Sequence, residues 1–107
     1  MSDKKITSLN DAEFDAAIKE GITLVDFWAP WCGPCRMQVP ILGVVAESVD
    51  DMAKIAKLNV DEAGDVAGRF GVQAIPTLLL FKDGKEVQRF IGVQSEETLI
   101  DAINSEI

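Results

Sequence analysis

Residues 22–29, ITLVDFWA, are apolar almost without interruption over the length of one strand. A strand with one wet face alternates apolar and polar side chains, whereas a continuous run is the mark of a central strand covered on both faces. Any fold for this chain must therefore place a layer above this strand and another below it. The one polar interruption is Asp26, a carboxylate set into the middle of the run.

The flanking segments supply those layers. KKITSL (4–9) reads as a short first strand, and NDAEFDAAIKEG (10–21) as a helix with Asn10 as N-cap and Gly21 as its stop. Leu9 and Phe14 fall at the positions of a hydrophobic staple, and Phe14, Ala17 and Ile18 share one apolar face. After the central strand, helical spacing of Leu42, Val45, Ala46 and Val49 predicts a long helix through Val49, kinked by Pro40. MAKIAKLNV (52–60) reads as a strand and DEAGDVAGRFG (61–71) as a helix closed by Gly71. PTLLLF and EVQRFI, joined through Asp83-Gly84, predict a β-hairpin. Ser95 then caps a last helix with Leu99, Ile100 and Ile103 on its buried side. Strands alternating with helices and ending in a hairpin imply an α/β sandwich around a mixed sheet.

At 107 residues, with 48% of them hydrophobic, one domain spanning 1–107 is expected, large enough to fold without staples. No apolar run approaches the ~20 residues of a membrane span. The opening MSDKKITSLN is polar, so no secretory signal is expected and a cytoplasmic setting is the default. Ten Lys and Arg oppose 18 Asp and Glu, a net charge of −8, which should repel nucleic acid and anionic membranes. The chain has no histidine, which removes Cys-His nucleophile pairs, imidazole bases and His metal ligands together.

Both cysteines stand in WCGPC (31–35). A disulfide across so small a ring restricts the unfolded chain little, worth roughly 2 kcal/mol, and structural bridges are rare in reducing compartments. Tetrahedral zinc wants four Cys or His ligands where one chain offers two, so only a dimer could complete a metal site. A redox-active dithiol accounts for the neighbours as well. Cys32 lies where strand gives way to helix, at an N-cap position. Pro34 has no N–H, so the Cys35 amide is left to donate to the Cys32 sulfur, which also faces the positive end of the helix dipole. Both effects favour thiolate, the attacking form. Gly33 leaves the sulfur uncovered and Pro34 fixes the first turn. Cys32 is thus expected to be the nucleophile and Cys35, one turn inside, the resolving thiol.

VDFWAPWCGPCRM (25–37) resembles the active-site signature of the thioredoxin family, and IPTLLLFKDGK (75–85) resembles its later signature. The resemblance extends over the whole chain, through FIG (90–92) to the last helix. It implies the thioredoxin fold: α/β, a central mixed sheet with helices on both faces, in the order β-α-β-α-β-α-β-β-α. It also implies a general protein-disulfide reductase with no bound cofactor and no metal, acting on disulfide-containing proteins as a monomer. A thioredoxin reductase would recharge it, and the flavin and NADPH belong to that partner. A lowered thiol pKa is itself a known property of this family. Gly33-Pro34 is the redox-tuning pair of its reducing members. By the same resemblance Ile75-Pro76 is a cis peptide, and Trp31, Gly33, Pro34, Ile75, Pro76, Gly92 and Val93 form the substrate-docking rim. Trp28 is assigned to packing beneath the site. QVPILGVV (38–45) departs from the family pattern at Gln38-Val39 and at Gly43, and Val93 stands where a smaller residue is common; these put partner selectivity in question.

Asp26 has two readings. In one it pairs structurally with Lys57, which shares strand parity with Ala53 and Ile55. In the other, desolvation raises its pKa and it serves as proton acceptor for Cys35, with Lys57 as its partner. Two functional alternatives to a reductase stand beside it: a non-catalytic interaction module, since fold does not fix function, and an oxidase or isomerase.

Overall fold

The computed structural model describes residues 5–107. Its elements run β1 (Ile6–Leu9), α1 (Phe14–Ile18), β2 (Ile22–Trp28), α2 (Gly33–Val49), a short 3-10 turn (Asp50–Met52), β3 (Lys54–Asn59), α3 (Gly64–Arg69), β4 (Thr77–Lys82), β5 (Lys85–Ile91) and α4 (Glu96–Ser105). The five strands form one sheet in the order β1-β3-β2-β4-β5. β1 and β2 run parallel to β3, while β4 is antiparallel to both β2 and β5, so the sheet is mixed as expected.

β2 sits at the centre and is buried from Ile22 to Phe27. Its alternate side chains feed two cores. Leu24 joins Ile55, Leu78 and Leu80 beneath Leu42, Val45 and Val49 of α2 and Leu99 and Ile103 of α4. Val25 and Phe27 join Leu58, Leu79 and Phe81 beneath Phe14 and Ile18 of α1 and Val66 and Ala67 of α3. Helices therefore cover both faces, which is what a continuous apolar strand requires. In the second core Phe14, Phe70 and Phe81 meet with ring centroids 5.3–5.5 Å apart in tilted and edge-on pairs, the arrangement the aromatic quadrupole favours.

Several boundaries differ from the sequence expectation. Lys4, the first residue of the expected opening strand, lies outside the described residues. The first helix begins at Phe14, not after Asn10. Asn10 does accept from the Glu13 amide at 2.9 Å, but it caps a turn that precedes the regular helix. Leu9 and Phe14 still pack in one core. Met52 closes the 3-10 turn instead of opening β3. α3 starts three residues later than expected because 59–63 forms a turn, with the Ala63 amide donating to the Asn59 carbonyl. α2 continues through Pro40 without a break. At the hairpin, Asp83 and Gly84 both take positive φ (51° and 88°), the turn that suits the strands' twist.

Candidate active site

The C-terminal end of β2 hands the chain directly to the N-terminus of α2, and the two cysteines lie at that junction. Cys32 is the N-cap, extended at φ −92° and ψ 111°, and its Sγ accepts from the Cys35 amide at 3.2 Å. Pro34 occupies the first turn, so the amide that would otherwise compete for this acceptor does not exist. The loop is held from outside by Arg36, whose guanidinium donates to the Pro30 carbonyl at 3.1 Å, and from inside by the Cys32 amide donating to the Ala29 carbonyl.

Cys32 and Cys35 are joined in a disulfide, their Cα atoms 5.3 Å apart. The pair packs with Ala29 in a small apolar cluster bordered by Trp28, Val60 and Ile75. Gly33 and Pro34 are exposed above it. A Cβ added at Gly33 would meet nothing within 4 Å, yet Cys32, expected to be uncovered there, is buried with 5% of its surface exposed, because the disulfide packs against Ala29 and Ile75. Among the described residues no cluster of His, Cys, Asp and Glu could hold a metal ion.

The expected rim residues converge on this junction from three loops. The Ile75–Pro76 peptide bond is cis, and the Ile75 carbonyl oxygen lies 3.8 Å from Cys32 Sγ. The Gly92 amide donates to the Pro76 carbonyl at 2.8 Å, which ties the segment after β5 to the segment before β4. Gly92 holds φ +92°, a conformation that an L side chain resists. Val93 beside it is partly exposed, and Trp31 is two-thirds exposed. Trp28, by contrast, is half-buried under the Lys57 ammonium, 5.3 Å from its ring centroid.

Asp26 is fully buried on the α2 face of the sheet, the face of Leu24. Its register partners are Lys57 on β3 and Leu78 on β4. No described group hydrogen-bonds either carboxylate oxygen. Burial pushes the carboxyl from its ordinary 3.8 up to about 7, with the Lys57 charge opposing the shift.

Two residues of the site had no assigned place in the sequence reading. Asp61 accepts from the Trp31 indole N–H at 3.1 Å and so orients the exposed ring. Nothing local signals this, since the two are 30 positions apart. Gln38, noted only as a departure, is fully buried on α2, and its amide pairs with the main chain of Gln94. Its signal was a polar side chain standing at helical spacing within the stripe Cys35, Leu42, Val45 and Val49.

Residues 5–105 match the thioredoxin family model. The chain is 43% identical to the thioredoxin of Bacillus subtilis (strain 168), covering 95% of this chain and 98% of that one. It is 45% identical over the same shares to the thioredoxin of Staphylococcus saprophyticus, and 42% identical to that of Staphylococcus aureus (strain N315). A family model that spans the whole sheet and its helices, together with relatives matched almost end to end, leaves no ambiguity of kinship. The Cys32–Cys35 pair is accordingly the redox-active group of a protein-disulfide oxidoreductase, and the chain belongs to the thioredoxin family.

Proposed function

We propose that Cys32 is the attacking thiol and Cys35 the resolving one in a two-electron reduction of protein disulfides. The observation that carries this assignment is the amide of Cys35 donating to the sulfur of Cys32 at a helix N-terminus. That donor and the helix dipole both stabilise Cys32 as thiolate, and Cys35 has no equivalent.

In the forward direction the Cys32 thiolate attacks one sulfur of the target disulfide. A Cys32–target bond forms, the target S–S bond breaks, and one target sulfur leaves as thiolate. Asp26 takes the Cys35 proton, directly or through a water, and the Cys35 thiolate attacks Cys32 Sγ. The Cys32–Cys35 bond forms and the second target sulfur leaves. The target gains two electrons and the chain loses two. A carboxyl held near neutrality suits the transfer, because it can accept and return a proton at working pH. Lys57, its register partner, supplies the charge that keeps the pKa from rising further.

Gly33 and Pro34 tune the pair, Gly33 by adding no side chain beside the cysteines and Pro34 by fixing the first helical turn. Trp31, Ile75, Pro76, Gly92 and Val93 form the face on which targets dock. A thioredoxin reductase, carrying its own flavin and drawing on NADPH, returns the dithiol. The chain works as a monomer in the cytoplasm. Among the described residues no helix is long and apolar enough to cross a membrane.

Insulin reduction, followed with and without NADPH and a bacterial thioredoxin reductase, tests the reading. Turnover that requires both is expected. A chain that binds proteins but never consumes NADPH would be an interaction module instead. One that forms disulfides in reduced targets faster than it breaks them would be an oxidase.

A further inference from the structure

Gln38 lies on α2 one turn beyond Cys35 and is fully buried. A primary amide in that position costs a few kcal/mol unless both of its ends are paired. Here both are, and by one residue. The Gln38 amide nitrogen donates to the Gln94 carbonyl at 3.0 Å, and the Gln94 main-chain N–H donates to the Gln38 carbonyl oxygen at 2.7 Å. The side chain thus acts as one rung of backbone pairing, placed after β5 has ended at Ile91 and before Ser95 caps α4.

The segment between those elements is Gly92, Val93 and Gln94. Its first residue is fixed by the Gly92 amide donating to the Pro76 carbonyl at 2.8 Å. The Gln94 side chain closes back on the same segment, donating to the carbonyls of Ile91 (3.3 Å) and Gly92 (3.2 Å). With Gln38 holding the far end, Val93 is suspended between two anchored residues.

We propose that Gln38 is a positioning residue for protein substrates: it holds the Gly92–Gln94 segment in its docking position and ties it to the helix that carries the dithiol. The proposal rests on the reading that Gly92 and Val93 line the docking face. An apolar side chain at position 38 fills the same space but leaves the partly buried N–H and C=O of Gln94 unpaired, so the segment is free to move away from α2. Ordering it again on binding then costs affinity without touching the thiols.

The experiment uses the full chain, pre-reduced and freed of reductant, mixed with excess insulin while tryptophan fluorescence follows oxidation. Gln38→Met, close in shape to glutamine, is compared with Val93→Asp, which charges the docking face itself. For Gln38→Met the half-saturating insulin concentration is expected to rise about three- to tenfold, the fold-change of one or two lost hydrogen bonds, with the limiting rate within about twofold of wild type. Hydrogen exchange of the Gln94 amide should quicken by a similar factor of about three to ten in the same variant.

An unchanged half-saturation in Gln38→Met, with a raised one in Val93→Asp, overturns the proposal and leaves the docking face standing. Unchanged values in both overturn the docking face and the proposal with it. Should Gln38→Met not fold, the wild-type protein still decides: a Gln94 amide exchanging as fast as in an unstructured chain means that the clamp does not hold the segment.

Discussion

Asp26 and Lys57 face each other in register across the parallel β2–β3 pair, yet the lysine ammonium rests over the Trp28 ring and neither oxygen of Asp26 receives a hydrogen bond from a described residue. The two share a position in the sheet without forming an ion pair. That separation is why burial, rather than charge pairing, governs the carboxyl, and it sets the sign of the first prediction.

The Asp26 carboxyl is lifted from 3.8 to about 7 on folding. The folded chain therefore holds this proton more tightly than the unfolded chain does. The stability so gained is complete below about pH 4, falls as pH climbs, and is gone once pH has passed about 7. Asp26→Asn keeps the shape and cannot ionise. In the oxidised protein it is expected to change stability little near pH 4 and to raise it near pH 8 by up to about 4 kcal/mol. Urea midpoints at the two pH values check this. The same variant should slow insulin reduction at neutral pH. Lower stability near pH 8 with unchanged turnover would make Asp26 a structural ion-pair partner after all.

Thiol asymmetry gives a second prediction. Iodoacetamide should alkylate Cys32 of the reduced protein well before Cys35, because only Cys32 accepts an amide at a helix N-terminus. Cys32→Ser should abolish turnover, and Cys35→Ser should accumulate target proteins as mixed disulfides. Mass spectrometry of the alkylated sites and of the trapped adducts reads both. Faster labelling of Cys35 would reverse the assigned roles.

Two glycines at the site should respond to alanine unequally. Gly92 holds φ +92°, so Gly92→Ala is expected to cost about 1–2 kcal/mol. Gly33 sits in the first turn of α2 with open space around it, and Gly33→Ala should change stability by no more than about 0.5 kcal/mol. Chemical denaturation of the oxidised proteins separates the two. Equal costs would mean that backbone conformation does not distinguish the positions.

The Trp31–Asp61 hydrogen bond gives a fourth. Asp61→Ala removes the acceptor and should free the exposed indole, lowering its fluorescence anisotropy and raising half-saturating insulin by about two- to fivefold. Asp61→Asn keeps a carbonyl acceptor and should restore most of both. A loss in Asp61→Asn equal to that in Asp61→Ala would assign the effect to the lost charge.

What the sequence determined by itself was local. The helix N-cap at Cys32, the missing amide of Pro34 and the hairpin turn at Asp83-Gly84 involve partners within three or four positions, and each is written in residue type and spacing. The apolar run of β2 also dictated cover on both faces, since an alternating strand would not have needed it. The extent of α1 was less legible: Asn10 is a good cap, but the turn it caps is not yet helix, and regular helix begins only where Phe14 enters the core.

Tertiary structure alone decided the rest, because the rest depends on strand order and register. A run that is apolar on both faces carries no parity signal. Nothing in ITLVDFWA says that Asp26 points toward α2 or that Lys57 stops short of it; the β1-β3-β2-β4-β5 order and its register do. Gln38 and Gln94 are 56 positions apart, and Trp31 and Asp61 are 30 apart. Their pairings exist only because the sheet brings the ends of β2, β3 and β5 to the head of one helix. Periodicity and capping report what a residue needs within a turn or two. Which distant group meets that need is settled when the chain closes on itself.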